Sequence, residues 1–537
     1  MSTFRRYLLV AALFTAVWMV DTWPQPRVLA TEAYPHQDVY FNMWRLEWLA
    51  RAAIHEPSHL LDGNMFYPET RTLTYSDAVP VEGAFAAPLI WMRFPPVLVQ
   101  NVMIFGAMIA SACAMFALVR YVTGSEGAGI VAGLAFGFAP YRFEHVMHLE
   151  LQWAMWSPLA FLYLHRTFDT GRLKHGVLTG VMVALQMLSS IYYGVFLATL
   201  VTAGAVLLFV ARRLEQPRRV AIALAAGGLL AVFICGAYAI PYLQTRNHVG
   251  ERTIDQVAMF SARPSNYLNA TPDNWLYGRM LETRGRPERR LFPGTAITLL
   301  AMIGLLLRYP PRRAFVYLLL LVGAFEMSLG FSGHIYGWLY EYVPVFRGLR
   351  AVARLGIYVL LFLSVLGGYG FAALSSGRSR RFTAVLAAAL VVVLTAEYRV
   401  SLPLSRDFPN SAPPVYRLLA HQPPGVVAEF PVPRPSALPF LDAQYLYCST
   451  FHWFPLVNGY SGMYPTSYLV RLERLENFPD TRSFLALKAD NVRYVILHDW
   501  PGRQQAERAL TLSSDYILLG EFGAMPTGTA LLYQARD

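Results

Sequence analysis

Three places in the sequence carry side chains whose types and spacing could do chemistry. Asp38 stands in AYPHQDVYFNMWRLEW (residues 33–48), a short distance after the first apolar segment. YRFEHVMHLE (141–150) combines two histidines with two glutamates, and VPVFRGLRAVAR (343–354) carries three arginines. A carboxylate can act as a base, imidazole with carboxylate can bind a metal, and guanidinium groups can bind phosphate. Which chemistry applies depends on where these segments lie relative to a membrane.

The composition is that of a membrane protein. Of the 537 residues, 55% are hydrophobic and only 15% are charged, and the mean hydropathy is +0.36. An ordinary soluble domain carries about 25% charged residues. The net charge of +11 fits basic loops between apolar segments better than a nucleic-acid surface, because the arginines cluster there. Lys174 and Lys488 are the only lysines, a bias typical of GC-rich bacterial genomes.

The apolar segments predict about eleven transmembrane helices, since a span needs roughly 17 to 25 largely apolar residues. We place them near 5–21, 97–119, 127–140, 151–166, 176–190, 192–211, 220–241, 293–308, 314–332, 354–374 and 383–400. With the N-terminus in the cytoplasm, every short cytoplasmic connection is basic, as the positive-inside rule requires. These connections carry Arg120, Arg166, Arg172, Lys174, Arg212, Arg213, Arg218, Arg219, Arg308, Arg312, Arg313, Arg378, Arg380 and Arg381. The alternative that residues 1–30 are a signal peptide leaves the following segment on the outside as well.

This topology places the remaining loops on the outer face. They are the long first loop (21–95), YRFEHVMHLE, the arginine-rich loop 242–292, loop 333–353 and the tail from residue 401. In the tail, GVVAEFPV and NVRYVILHDW are typical of buried strands, and LVRLERLENF is typical of a helix. We therefore predict an all-α polytopic transmembrane domain over 1–400 and a small extracytoplasmic α/β domain over 401–537.

Common soluble chemistries find no support in the sequence. There is no P-loop, no GxGxxG after a plausible strand and no GxSxG nucleophile elbow. Cys113, Cys235 and Cys448 form no CxxC pattern and no evident disulfide pair.

The residues after Asp38 predict a helix with one aromatic face. Its apolar positions are Phe41, Trp44, Leu46, Trp48 and Leu49. We expect this helix to lie in the membrane interface, with its aromatic side chains toward the lipid. In the alternative interpretation the helix only anchors the loop, and Asp38 caps its N-terminus.

The architecture of one span, a long outer loop with an acidic residue near its start, and many further spans resembles the GT-C superfamily of membrane glycosyltransferases. The chain is similar to protein mannosyltransferases and to bacterial relatives that use polyprenyl-phosphate sugars. The phrases that carry the resemblance, mainly over residues 1–400, are HQDVYFNMWRLEW, GNMFYPET, FGFAPYRFEHVMHLELQWAMWSPL, SSIYYG and VPVFRGLRAVAR, with VNGYSG and VRYVILH in the tail.

The resemblance implies that Asp38 is the catalytic base, since an acidic residue of the first outer loop has that role in the superfamily. Many relatives have two adjacent acids, whereas Asp38 stands between Gln37 and Val39. Asp21, at the membrane edge, and Asp77 are the fallback bases. The aromatic residues of the first outer loop, Trp44 among them, would frame the sugar.

The other two places are predicted to bind substrate. Arg347, Arg350 and Arg354 have helical spacing and would hold a lipid phosphate, or else contact ordinary headgroups or Glu341. His148 and Glu150 are the residues of YRFEHVMHLE that we single out. They could bind a divalent metal such as Zn or Mn, or simply hydrogen-bond within the helix bundle.

The sequence thus predicts a glycosyltransferase of the bacterial inner membrane, with its C-terminal domain in the periplasm. It would move a sugar from a polyprenyl-phosphate donor to an envelope glycan, lipid or protein, with no role for nucleic acid. Two alternatives stay open: a transporter or flippase of a lipid-linked precursor, although no internal repeats are evident, and a non-catalytic envelope scaffold.

Overall fold

A computed structural model describes residues 3–250, 252–280, 286–306, 312–434, 440–525 and 528–536. Arg308 lies outside these residues. The chain divides into two compact units. The helical unit consists of residues 1–28, 102–239 and 251–403, and the mixed unit of residues 29–101, 240–250 and 404–537. From its sequence the first outer loop is predicted to belong to the transmembrane domain, whereas in the structure residues 29–101 pack with the tail.

The helices, in chain order, have the following bounds. Helices α1 to α11 are Thr3–Asp21, Gln37–His55, Pro80–Trp91, Pro96–Thr123, Glu126–Phe138, Pro140–Glu144, Leu149–Gln152, Trp156–Thr170, Leu173–Ser189, Ile191–Ala211 and Pro217–Val249. Helices α12 to α22 are Ile254–Met259, Thr295–Leu306, Arg312–Ser328, Ile335–Tyr342, Gly356–Ser375, Arg380–Tyr398, Pro414–Leu419, Phe440–Cys448, Thr466–Leu475, Thr481–Ala489 and Arg503–Leu512.

The chain is a multi-pass membrane protein. Within the described residues, six helices are long and apolar enough to cross a membrane. These spans are Thr3–Asp21, Pro96–Thr123, Ile191–Ala211, Pro217–Arg246, Val352–Ser375 and Arg380–Tyr398. Each of the eleven predicted segments overlaps a helix, but the other helices are shorter or less apolar, so the count of eleven is not confirmed.

Glycine lets two pairs of helices in the helical unit approach closely. A Cβ atom at Gly180 of α9 would lie 1.9 Å from the carbonyl oxygen of Gly227 in α11, and one at Gly227 would lie 1.9 Å from that of Gly176. A Cβ atom at Gly370 of α16 would similarly lie 1.9 Å from the carbonyl oxygen of Leu300 in α13. In lipid the hydrophobic effect does not drive helices together, so they associate through van der Waals contact. Small residues at a crossing allow that contact because the two backbones can approach closely.

The mixed unit is built on a four-stranded sheet with the order β1-β2-β4-β3. Its strands are Val426–Phe430, Val492–Leu497, Tyr516–Met525 and Gly528–Ala535. β1 and β2 are parallel, whereas β4 is antiparallel to both β2 and β3. The strands predicted in GVVAEFPV and NVRYVILHDW are β1 and β2, and the helix predicted in LVRLERLENF corresponds to α20.

Helix α2 forms where the sequence predicts it, but its aromatic face is used differently. Phe41, Trp44 and Trp48 are buried in one core cluster of the mixed unit instead of lying in a lipid interface. Leu446 of α19 and Ile496 of β2 belong to the same cluster. An amphipathic face suits either environment, and here the tail provides the apolar surface that covers it.

A buried polar network lies beside the carboxyl ends of β1 and β2. Nε2 of His498 is 2.7 Å from Oε2 of Glu429, and the Tyr416 hydroxyl donates to the same oxygen at 2.6 Å. Asn458 joins this group to Asp442, because its side-chain amide donates to the Glu429 carbonyl at 2.9 Å and to Oδ1 of Asp442 at 3.0 Å.

Asp442 is fully buried in that network. Burial raises its pKa from 3.8 to about 7, although hydrogen bonds donated by Tyr468 and Asn458 oppose the shift. The folded state therefore holds the Asp442 proton more tightly than the unfolded chain does between about pH 4 and pH 7.

We predict that the stability contributed by Asp442 falls as the pH rises through this window, because the unfolded state then releases the proton first. Asp442→Asn, which keeps a neutral side chain of similar size, should flatten the pH dependence of the thermal unfolding midpoint. Tryptophan fluorescence in detergent at about pH 5 and pH 7 would measure it. Parallel pH dependence in the two proteins would contradict the prediction.

We predict that Gly227→Ala destabilises the helical unit, because the new methyl group would collide with the backbone of α9. Its neighbour Gly228 is the matched control, since a Cβ atom there meets no atom within 4 Å. Gly228→Ala should be neutral or slightly stabilising, because alanine favours helix over glycine by about 1 kcal/mol. Unfolding midpoints in one detergent would compare the two variants, and an equal effect would refute the close approach.

Candidate functional site

The three arginines of VPVFRGLRAVAR lie on and between two short turns and not on one helix. The 3-10 turns are Pro344–Gly348 and Val352–Leu355, and α16 begins only at Gly356. Proline and glycine residues within and beside these turns disfavour a continuous α-helix. The shared helical face expected from the spacing is therefore not formed, and each arginine has its own surroundings.

Arg354 is mostly buried in the helical unit, with a side chain that is 10% exposed. Its guanidinium group lies over the Tyr192 ring, 4.9 Å from the centroid, and its Nη2 is 4.0 Å from Oε1 of Glu288. The Glu150 carboxylate also interacts with it electrostatically. Within the described part of the chain, Nε of Arg354 is buried and has no hydrogen-bond partner. A buried donor of this kind is available to a ligand acceptor.

Further arginines surround the same place. The guanidinium groups of Arg350 and Arg286 lie 5.1 Å and 4.9 Å from the centroid of the Phe260 ring. The Tyr192 hydroxyl accepts a hydrogen bond from the backbone N–H of Arg350 at 3.2 Å. Burial lowers the pKa of Arg252 to about 10, and the positive charges of Arg350 and Arg354 add to this effect. An anion with several oxygens would relieve this concentration of positive charge.

YRFEHVMHLE forms two short helices, Pro140–Glu144 and Leu149–Gln152, joined by a turn. The buried guanidinium group of Arg142 donates to the carbonyl oxygens of Leu151 at 3.2 Å and Gln152 at 2.9 Å. The Gln152 side chain in return donates to the His145 carbonyl at 2.7 Å. These hydrogen bonds close the segment into a compact loop.

The two histidines of this loop face each other. Their Nδ1 atoms are 3.4 Å apart, and their ring centroids are 5.4 Å apart. Burial lowers the pKa of His145 well below its usual range, and the charges of His148 and Arg354 act in the same direction. No group of three His, Cys, Asp or Glu side chains suited to a metal ion occurs among the described residues. Metal binding by His148 and Glu150 stays a prediction.

Glu144 is paired outside the histidine loop. Nη1 of Arg290 donates to its Oε1 at 2.7 Å. Burial raises the pKa of Glu144 to about 7, and Arg290 offsets part of that rise. The Glu144–Arg290 pair links this loop to the segment that carries Glu288. The two carboxylates near Arg354, Glu150 and Glu288, therefore belong to segments that are joined to each other.

Asp38 belongs to the mixed unit, in the first turn of α2. His36 caps this helix, since its Nδ1 accepts from the Asp38 backbone N–H at 3.1 Å. Asp38 is thus not the cap residue of the alternative interpretation. Its Oδ1 accepts a hydrogen bond from the Tyr460 hydroxyl at 2.6 Å, and its side chain is 21% exposed. Burial and the Asp38 carboxylate raise the pKa of Tyr460, so the phenol keeps its proton.

Trp44 and Arg347 have structural contacts. The Trp44 side chain is fully buried, and its Nε1–H donates to Oδ1 of Asn64 at 3.0 Å, so its ring packs within the core. Arg347 is exposed, and its guanidinium group donates to the backbone carbonyls of Tyr340 at 3.2 Å and Glu341 at 2.8 Å. These carbonyls end α15, where a positive charge is favourable.

The two fallback bases are buried. Asp21 ends α1 in the helical unit, and within the described part of the chain neither of its carboxylate oxygens has a hydrogen-bond partner. Asp77 lies in the mixed unit and is 7% exposed. Its backbone carbonyl accepts from Arg45 at 2.6 Å.

Sequence reasoning missed Tyr192, Phe260 and Glu288. Tyr192 follows the break between α9 and α10 in SSIYYG, so the helix break was the available signal. Phe260 and Glu288 lie in the loop that the sequence analysis noted only for its arginines. Their roles depend on contacts with residues far away in the sequence, which no local pattern reports.

Comparison with solved structures finds proteins of similar fold. The structure is similar to the archaeal oligosaccharyltransferase AglB from Archaeoglobus fulgidus, solved in complex with an inhibitory peptide and a dolichol-phosphate. The TM-score is 0.50 at 12% sequence identity, over 93% of this chain and 70% of that one. No family model matches the sequence, and no curated protein matches it. The likeness supports the GT-C-like fold that the sequence resemblance implies.

We predict that Arg354→Gln weakens binding of farnesyl phosphate about tenfold or more, since a hydrogen bond to a charged group contributes about 1.5–3 kcal/mol. Arg347→Gln is the matched control, because the Arg347 guanidinium is already bonded to backbone carbonyls. Isothermal titration of the purified protein in detergent measures both affinities. Equal losses in the two variants would contradict a specific site around Arg354.

Proposed function

We propose that this protein is a membrane glycosyltransferase that moves a sugar from a polyprenyl-phosphate donor to a hydroxyl group of an envelope acceptor. The observation that carries the proposal is the group of arginines around Arg354 in a fold similar to that of an oligosaccharyltransferase. That neighbour was solved with a dolichol-phosphate, a lipid phosphate of the class proposed here. The outer face of a bacterial inner membrane is the proposed location.

The arginines would act on the leaving group. As the bond between the anomeric carbon and the phosphate oxygen breaks, negative charge grows on the phosphate. Guanidinium donors placed in a low-dielectric site stabilise such charge more strongly than water does. Arg354 offers its unpaired Nε, and Arg350 lies against the same Tyr192 side chain through its backbone. We assign the phosphate to these two residues.

Asp38 would take the proton. The acceptor oxygen attacks the anomeric carbon, its proton passes to the Asp38 carboxylate, and the polyprenyl phosphate departs. A single displacement of this kind inverts the anomeric configuration. Two features support the assignment: the side chain is partly exposed, and the hydrogen bond donated by Tyr460 fixes its orientation. A carboxylate must be ionised to accept a proton.

His148 and Glu150 would adjust the electrostatics around the phosphate. The Glu150 carboxylate already acts on Arg354, and His148 lies against the buried His145. We propose that they orient Arg354 or hold a divalent cation beside the phosphate. Such an ion would neutralise charge on the leaving group.

We predict that Asp38→Asn lowers the transfer rate about 10²- to 10⁴-fold, the usual contribution of a general base, and leaves donor binding unchanged. Wild type and variant would be tested with a panel of short-chain polyprenyl-phosphate sugars, with product followed by mass spectrometry. Asp77→Asn serves as the control, since Asp77 is buried in the same unit.

Three outcomes distinguish the parts of this proposal. Full transfer by Asp38→Asn would refute the base and keep the enzyme class. Transfer lost in Asp77→Asn alone would move the base to Asp77. A wild-type protein that neither binds nor transfers from any lipid phosphate sugar would refute the function.

A further inference from the structure

The mixed unit contains a cavity that no step of the proposed transfer uses. Its volume is about 230 Å³. A cavity of this size suits a small group such as one ring with its substituents. Its walls come from α2, from the segment 62–69 and from residues 453–455.

Aromatic rings form one side of this cavity. Trp48, Tyr67 and Trp453 all line it, and the rings of Trp48 and Trp453 are 5.8 Å apart. The indole N–H of Trp48 donates to the Leu60 carbonyl at 3.0 Å, so that ring is fixed in orientation. Tryptophan and tyrosine offer large apolar surfaces with a negative face, which attracts polarised C–H groups.

Polar side chains form the other side. Nη1 of Arg51 lies 3.2 Å from Oε1 of Glu56, and both residues line the cavity. Asp62 also lines it, with Oδ2 2.8 Å from Nδ1 of His59 and Oδ1 accepting from the Arg71 backbone N–H at 2.7 Å. Carboxylates have further lone pairs beyond these bonds, and arginine has five donor hydrogens. The cavity therefore offers both hydrogen-bond acceptors and donors at fixed positions.

Each charged side chain that lines the cavity has a contact within the protein. Arg51 stacks on the Trp453 ring at 5.3 Å, which is the position a cationic ligand would take. Glu56 pairs with Arg51, Asp62 contacts His59, and the remaining lining carboxylate, Glu69, is 3.7 Å from Nδ1 of His248. His59 and His248 are charged only when protonated, so the three lining carboxylates outnumber the one lining guanidinium group and disfavour an anion. Because Arg51 already lies over the Trp453 ring, a neutral ligand rich in hydroxyl groups fits there better than an amine.

The backbone around the cavity is held in an unusual conformation. Trp453, Phe66 and Arg71 have φ values of 61°, 59° and 55°, in the left-handed region that side chains with a Cβ rarely adopt. Such residues persist where the surroundings fix them, and they cluster at ligand sites. At Trp453 this conformation places a bulky ring against the cavity, where glycine would adopt the same backbone more easily.

We infer that this cavity binds one neutral pyranose unit of a saccharide. The apolar face of the sugar would pack on the aromatic side formed by Tyr67 and Trp453, beside the guanidinium group of Arg51, and its hydroxyl groups would bond Arg51, Glu56 and Asp62. Combined with the proposed transfer, the saccharide would be part of the envelope acceptor, and that identification rests on the proposed function. The binding itself rests only on the mixed unit.

The test is saccharide binding by the full-length protein in detergent. Saturation-transfer NMR would be run with methyl mannoside, methyl glucoside, methyl galactoside and their neutral trisaccharides, beside glucosamine as a cation and glucuronate as an anion. We expect a neutral pyranoside to bind, and Trp453→Gly to weaken it at least tenfold. Glycine suits the backbone of position 453, and the unfolding midpoint of the variant measures whether the loss of the ring leaves the fold intact. Glu56→Gln, at the rim, should weaken binding severalfold.

Trp275→Gly is the control, because Trp275 is 64% exposed in the helical unit and lies away from the cavity lining. The inference would be overturned by any of three results: no neutral saccharide binds, glucosamine alone binds, or Trp453→Gly binds as the wild type does. Trisaccharide binding stronger than monosaccharide binding would indicate a glycan chain as the source, whereas equal binding would indicate a free sugar. Saccharide binding without transfer from any lipid donor would refute the proposed function and leave the site standing.

Discussion

The closure of residues 140–152 by Arg142 is the constraint on which the site of the helical unit depends. An unpaired guanidinium in an apolar interior is strongly unfavourable, so its hydrogen bonds to Leu151 and Gln152 must form for the segment to be buried at all. That requirement fixes the path of the intervening turn. His145, His148 and Glu150 then have defined positions, and Glu150 can act on Arg354. The hydrogen bonds of Arg142 thus set the position of the carboxylate that acts on Arg354.

The two units achieve their packing in different ways, for a common physical reason. Lipid gives little reward for bringing apolar side chains together, so helices of the helical unit approach through glycine until their backbones touch. Water rewards apolar burial directly, so the mixed unit fills its core with large aromatic rings from α2 and from the sheet. Trp44 and Trp48 of the first loop therefore belong to an interior of the type found in soluble domains, although the chain as a whole is a membrane protein.

Local pattern was enough to place the apolar helices of the helical unit, the strands β1 and β2 and the helical form of residues 37–55, because each follows from the spacing of apolar residues. The local pattern did not show what covers Trp44. A lipid interface and a core partner some 400 residues away favour the same spacing of aromatic residues along α2. Helical spacing at Arg347, Arg350 and Arg354 was likewise misleading, because proline and glycine turned the segment into short 3-10 turns. The arginines themselves were found by their charge on an unexpected side of the membrane, whereas Tyr192, Phe260 and Glu288 are defined only by contacts.

The mixed unit joins residues 29–101 to residues 404–537, and this has a consequence for how the chain matures. About 300 residues separate the two parts, which the ribosome needs roughly 15 to 60 s to add at 5–20 residues per second. During that interval the aromatic face of α2 has no partner from the sheet, although the helices of the other unit are already being inserted. The exposed tryptophans must be shielded by lipid or by a chaperone until the last strands emerge. A chain truncated before residue 404 would leave the aromatic face of α2 without its partners from the tail.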